Sequence, residues 1–280
     1  MSTILNGKDH DKTIFYITTL GQTYNCEGKH EEAQITLREC LAKIKNDNIQ
    51  YVDIMSTLAL SCIATCRYDE AEELFKECLE ISRHIQGENH PFTIGAMMNL
   101  ALVYLKQNKP WDQVKAIHKE CLEKSIAING KDHDHTLCAM NSLALCYRNQ
   151  GKFDEAEKIF QECLEKYIII LGRDHPYVLG TMCNLAGTYH KQGRYDESIK
   201  LYQECLRRNN IILGENHTDT LDVMYYLGLS YEHKGELHEA LTIYKECHDK
   251  RCVVLGKDHP DTLKCDTKLK AAMNLLSQYK

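Results

Sequence analysis

The sequence predicts an all-α fold, a right-handed α-solenoid of stacked antiparallel helix pairs. Three observations carry that prediction. The 280 residues include only 4 prolines and 15 glycines, and Ala, Leu, Glu and Lys are common, which favours helix. A short turn motif recurs six times: NGKDHDKT from Asn6, QGENHPFT from Gln86, NGKDHDHT from Asn129, LGRDHPYV from Leu171, LGENHTDT from Leu213 and LGKDHPDT from Leu255. Cysteines at 40, 78, 121, 163, 205 and 247 keep the same phase, at spacings of 38, 43, 42, 42 and 42. A period of this length marks a stacked array of repeats.

The expected repeats cover about 10–47, 48–89, 90–132, 133–174, 175–216 and 217–258, and 259–280 adds a Lys-rich terminal helix that caps one continuous domain, 1–280. Each repeat should hold two helices joined by a Gly-Lys-aromatic-Asp-Glu-Ala type of turn. Repeat one has GKHEEA at 28–33 and repeat two CRYDEA at 66–71. In repeat two NDNIQYVD at 46–53 replaces the recurring motif. Repeat three degenerates to KPWDQV at 109–114, with one extra residue and the only tryptophan, Trp111. These two departures predict local bends.

Repeat four shows the pattern most clearly. Leu137, Met140, Leu143, Ala144 and Tyr147 recur at spacings of three and four, an amphipathic helix. Gly151 ends it. Phe153, Ala156, Phe160, Cys163, Leu164, Tyr167 and Leu171 mark the second helix, which Gly172 ends. Repeats five and six follow with GRYDES at 193–198 and GELHEA at 235–240.

The recurring Asp-His pair resembles an acid/base or metal pair, yet its repetition points to architecture. LGRDHPYV reads as a helix stop and a helix start: Pro176 opens the next helix, and Asp174 or His175 caps its first turn. Equivalent residues in neighbouring repeats stand a helix-packing distance apart, too far to share one metal. No nucleotide-binding loop, hydrolase elbow or zinc-protease motif is present. The sequence predicts no enzyme, no cofactor and no metal site.

A formal net charge of −6 argues against a general nucleic-acid surface. The apolar runs are short, such as YIIIL at 167–171, so no membrane span is expected. The start carries no secretory pattern, and the 14 cysteines form no CxxC pairs, so a cytoplasmic location with reduced thiols is expected. Cys62 and Cys66, four apart, are expected together on one helix face as core or groove residues.

TLGQTY at 19–24, NLALVY at 99–104, SLALCY at 142–147, NLAGTY at 184–189 and YLGLSY at 226–231 resemble the first helix of tetratricopeptide repeats. Leu143, Ala144, Tyr147 and Ala156 fit the family pattern, as do Leu185, Ala186, Tyr189 and Ser198; in repeat two Cys62 replaces the tyrosine. The 42-residue period and the Asp-His turn resemble the repeats of kinesin light chains and related scaffold proteins. The resemblance implies that the recurring cysteines fill the small packed position of the second helix. The long heptad coiled coil of kinesin light chains is not seen here, so motor assembly is not implied. The abrupt start is read as that of a fragment or of a paralogue without its first repeats.

The resemblance also implies a concave groove lined by first helices, which binds a protein or peptide ligand. Its inward positions include Thr18, Thr19 and Gln22, then Ser56, Thr57 and Leu60. The candidate binding residues are Asn99, Leu102, Lys106, Asn141, Leu145, Arg148, Asn184, His190, Lys191 and Tyr226. Asn99, Asn141 and Asn184 stand at or beside equivalent positions, where an amide can pair with both polar groups of a bound backbone. They could equally tie neighbouring helices together. Lys106, Arg148, His190 and Lys191 suggest a basic strip, hence a partner with apolar anchors and acidic flanks, in the manner of kinesin-light-chain cargo. The alternatives are a self-associating structural scaffold and a fragment of a larger multidomain regulatory protein. A chaperone-type carboxylate clamp is disfavoured, because Met98, Asn141 and Cys183 occupy its Lys position.

Overall fold

A computed structural model describes residues 8–44 and 49–278. The first copy of the turn motif, at 6–13, therefore lies partly outside the described residues, as does the junction of repeats one and two at 45–48. The described residues form thirteen α-helices and no strand. By its contacts the chain divides into two compact units, Met1–Ala139 and Met140–Lys280.

The first unit contains α1 (Lys8–Cys26), α2 (His30–Leu41), α3 (Ile49–Ala64), α4 (Tyr68–Gln86), α5 (Pro91–Lys106), α6 (Trp111–Asn129) and the first residues of α7 (Asp134–Asn149). The second contains the rest of α7, then α8 (Phe153–Leu171), α9 (Pro176–Lys191), α10 (Tyr195–Ile212), α11 (Thr218–Lys234), α12 (Leu237–Val254) and α13 (Pro260–Gln278). Within the first unit the helices from α1 to α6, and within the second those from α8 to α13, pack consecutively as antiparallel neighbours. Odd-numbered helices also touch one another, α1 with α3 and α9 with α11, which places them on the inner side of each stack. No helix among the described residues is long and apolar enough to cross a membrane.

Each second helix buries one large side chain at the same register: Leu37, Phe75, His118, Phe160, Tyr202 and Tyr244, none more than 4% exposed. Full burial of such a side chain contributes roughly 1.5–3 kcal/mol where it is apolar. Three residues further on come the recurring cysteines, all buried. Several of their thiols meet carbonyls of the preceding helix: Cys78 Sγ lies 3.7 Å from Val52 O, Cys205 3.8 Å from Leu179 O and Cys247 3.3 Å from Leu221 O. Burial pushes the Cys78 and Cys121 thiols up to about 12, so they behave as small packed groups rather than nucleophiles.

The recurring turn is a cap, as expected, and the histidine rather than the aspartate makes it. His175 Nδ1 accepts from the backbone N–H of Tyr177 at 3.2 Å, and His90, His133, His217 and His259 repeat the bond at 3.2–3.3 Å. Asp174 instead pairs with Arg208 on α10. Glu88 with Lys124, at 2.7 Å, and Glu215 with Lys250, at 3.0 Å, do the same in their repeats.

Gly172 has φ 83° and ψ 161°, a region that side-chain-bearing residues essentially do not enter. Gly172→Ala is expected to cost about 1–2 kcal/mol, read as a lower urea midpoint. An unchanged midpoint would refute this account of the turn. The turn inside each repeat is more permissive, since Cys66 (φ 59°) and Asn108 (φ 54°) occupy it in place of glycine. That corrects the expectation for Cys66. Helix α3 stops at Ala64, so Cys62 is buried in the core while Cys66 is an exposed turn residue.

Candidate functional site

In the first unit the inner helices enclose an open groove with a volume of about 470 Å³. From α1 it takes Ile14, Phe15, Thr18, Thr19 and Gln22; from α3 Gln50, Val52, Asp53, Ser56, Thr57 and Leu60; from α5 Pro91, Phe92, Gly95, Ala96 and Asn99. Every inward position expected in the first two repeats lies here, together with Asn99. Phe15, Leu60 and Phe92 are 67%, 44% and 49% exposed, enough to offer apolar contact area. Much of the polar lining is already used. Thr18, Thr19 and Thr57 donate to Ile14 O, Phe15 O and Asp53 O of their own helices at 2.8–2.9 Å.

Asp53 is the single charged residue of the lining. It is half-buried, and burial raises its carboxyl pKa above the ordinary value. Phe15, Asp53 and Phe92 were not among the expected inward positions. The signal was present: Phe15 lies one turn before Thr18 and Thr19, Asp53 one turn before Ser56 and Thr57, and Phe92 two turns before Asn99. Leu102 and Lys106 continue the Asn99 stripe toward the end of α5, both exposed and outside the groove lining.

In the second unit the candidate residues lie on α7, α9 and α11. Asn141 Nδ2 donates to Thr181 Oγ1 at 3.1 Å, joining α7 to α9. Arg148 Nη1 donates to Asn184 O at 3.2 Å, also from α7 to α9. Gly187 makes room for that guanidinium: a Cβ there would stand 3.2 Å from Arg148 Nη1 and 3.1 Å from the Tyr202 hydroxyl. Burial lowers the pKa of Arg148 from its ordinary value. His190 Nδ1 lies 3.0 Å from Ser230 Oγ on α11. Burial first, then the neighbouring His233 and Lys191, hold His190 at about 4, so it is neutral at physiological pH.

Leu145 packs against the core around Phe160 and Leu185, and Asn184 is half-buried. Lys191 is exposed. Tyr226 is 44% exposed, stacked on Tyr202 with ring centroids 6.2 Å apart, and Lys264 Nζ lies 6.0 Å from its centroid. Several groups expected to hold a partner thus connect one inner helix to the next. Tyr226 and Lys191 are the most accessible of the set. No group of three His, Cys, Asp or Glu side chains among the described residues is placed to hold a metal ion.

Stacked helix pairs with capped turns and a groove on the inner helices define a helical-repeat protein built to present a surface. A sequence model of the tetratricopeptide repeat family matches residues 51–112, 111–169, 135–209 and 177–252. The chain belongs to the tetratricopeptide repeat family. No curated protein matches the sequence.

Solved structures share the fold. BtubC (BKLC) of P. vanneervenii is 20% identical, covering 84% of this chain and 93% of its own, with a TM-score of 0.60. The quorum sensor NprR, in complex with its cognate peptide NprX, is 19% identical over 99% of this chain and 74% of its own, with a TM-score of 0.66; NprR is from B. thuringiensis. A set of nearly identical TPR-like repeats, from a Podosopora anserina kinesin light chain-like protein, is 19% identical. It covers 71% of this chain and 93% of its own, with a TM-score of 0.55.

Proposed function

We propose that the chain is a non-catalytic scaffold that holds a segment of a partner protein against the first helices of its repeats. The observation that carries this reading is the groove over α1, α3 and α5. Its volume of about 470 Å³ suits one or two inserted side chains, and Phe15, Leu60 and Phe92 stand around it as apolar contacts. The fold shared with NprR, whose structure is a complex with its cognate peptide NprX, supports a peptide-binding use of this fold. Cargo recognition in the manner of kinesin light chains is the finer form of this reading, supported by the fold shared with the Podosopora anserina kinesin light chain-like repeats. In the second unit Lys191 and Tyr226 offer a further contact face, where the exposed Lys191 would suit an acidic flank. A cytoplasmic location accords with cysteines that are all free thiols.

The test is selection from a phage-displayed library of random peptides on the full chain and on Leu60→Glu, both shown to be folded by circular dichroism. The chain should enrich peptides with an apolar anchor, and Leu60→Glu should lose them. Equal enrichment by both proteins would remove the groove from the reading.

A further inference from the structure

The groove of the first unit has a charge that the chain itself leaves unanswered. Three other half-buried acids each meet a cation: Glu72 meets Lys76 at 2.7 Å, Glu157 meets Arg194 at 2.9 Å and Glu232 meets Lys268 at 3.1 Å. Asp53 has no ion pair among the described residues, and no Lys, Arg or His joins it in the groove lining. A carboxylate drawn partly out of water without a cation is costly.

The repeat itself shows what is missing. The position of Asp53 in α3 corresponds to Asp222 in α11, and the second helix of that repeat supplies Arg251, whose Nη2 donates to Asp222 Oδ1 at 2.5 Å. In repeat two the residue corresponding to Arg251 is Ser82. Its hydroxyl is buried and has no hydrogen-bond partner among the described residues. The same fold position is therefore neutralised internally in one repeat and left open in the other, where it lines a groove with apolar walls.

We infer that the partner segment held by this groove carries a lysine or arginine that pairs with Asp53, flanked by apolar side chains resting on Phe15, Leu60 and Phe92. This rests on the peptide-binding reading above and gives it a charge sign. The cation would enter a site with no competing positive charge, and its stem would cover apolar surface. The first unit would thus take a basic, apolar segment, whereas the sequence pattern of lysines suggested an acidic one.

The same random-peptide library is selected on the full chain, on Asp53→Asn and on Leu60→Glu. Peptides enriched by the unaltered chain should carry Lys or Arg next to apolar residues. The strongest, made synthetically, should bind Asp53→Asn about five- to tenfold more weakly and should weaken with added salt. Enriched peptides without an excess of Lys or Arg, or with equal affinity for Asp53→Asn, overturn the inference. If those peptides still need Leu60, peptide binding in the groove survives and only the charge assignment fails. If Leu60→Glu changes nothing, or nothing is enriched at all, both fall.

Discussion

At pH 5 the chain is expected to melt at a markedly lower temperature than at pH 7, and His118→Phe is expected to raise both values while flattening the difference. His118 occupies the position that Phe75 and Phe160 fill in other repeats, and it is 3% exposed. Neither ring nitrogen has a hydrogen-bond partner among the described residues. Burial alone lowers its pKa from 6.5 to about 4. The sign follows directly. The unfolded chain takes up the proton at higher pH than the folded one, so stability is complete above pH 6.5 and falls as the pH drops toward 4.

The loss due to this one group is about 2 kcal/mol at pH 5 and about 3 kcal/mol at pH 4. His190, also lowered to about 4, adds a similar loss in the second unit and leaves a residual pH dependence in the variant. At pH 7 the phenylalanine should still gain about 1–3 kcal/mol, because it replaces two buried unpaired nitrogens with apolar surface. Thermal melts followed by circular dichroism at both pH values decide the matter. The same pH profile in the parent and the variant would show that His118 is not the responsible group.

Gly228→Ala is expected to destabilise by about 2–3 kcal/mol, although alanine is the better helix former. A Cβ at Gly228 would stand 2.7 and 2.8 Å from Tyr244 ring carbons and 3.2 Å from a third. The ring has nowhere to go. Tyr244 is fully buried, and its hydroxyl donates to Glu232 Oε2 at 2.6 Å. Lys268, 3.1 Å from the other oxygen of that carboxylate, holds it in turn. Gly180 provides the internal control. It lies exposed in α9 with nothing within 4 Å of a Cβ, so Gly180→Ala should gain up to about 1 kcal/mol from helix propensity alone. Chemical denaturation of the two variants should therefore give shifts of opposite sign. Two shifts of the same sign would mean that the close approach of α11 and α12 at Gly228 is not a rigid constraint.

Much of the fold was legible because it is written locally. The helix pairs follow from apolar residues spaced three and four apart. The stop at Gly172 and the cap at His175 depend on a few neighbouring residues and on backbone geometry. The choice between Asp174 and His175 was not legible, because Arg208, the group that claims Asp174, is 34 residues away. The fate of Cys66 turned on where α3 ends, a matter of one turn.

The candidate site divides along the same line. That Thr18, Ser56, Leu60 and Asn99 face inward was implied by the family resemblance once the repeat phase was known, and all four line the groove. What those faces can do depended on contacts between repeats. Asn141 reaches Thr181, Arg148 reaches Asn184 and His190 reaches Ser230, across separations of 36 to 40 residues. Sequence periodicity by itself determined the class of fold and the turns, because each depends on interactions within a few residues; the inner stripe came from setting that period beside the family's pattern. Only the tertiary structure decided which inner side chains are engaged and that the groove carboxylate of Asp53 has no ion pair among the described residues, because hydrogen bonding, burial and charge pairing are set by side chains that the stacking of helices brings together.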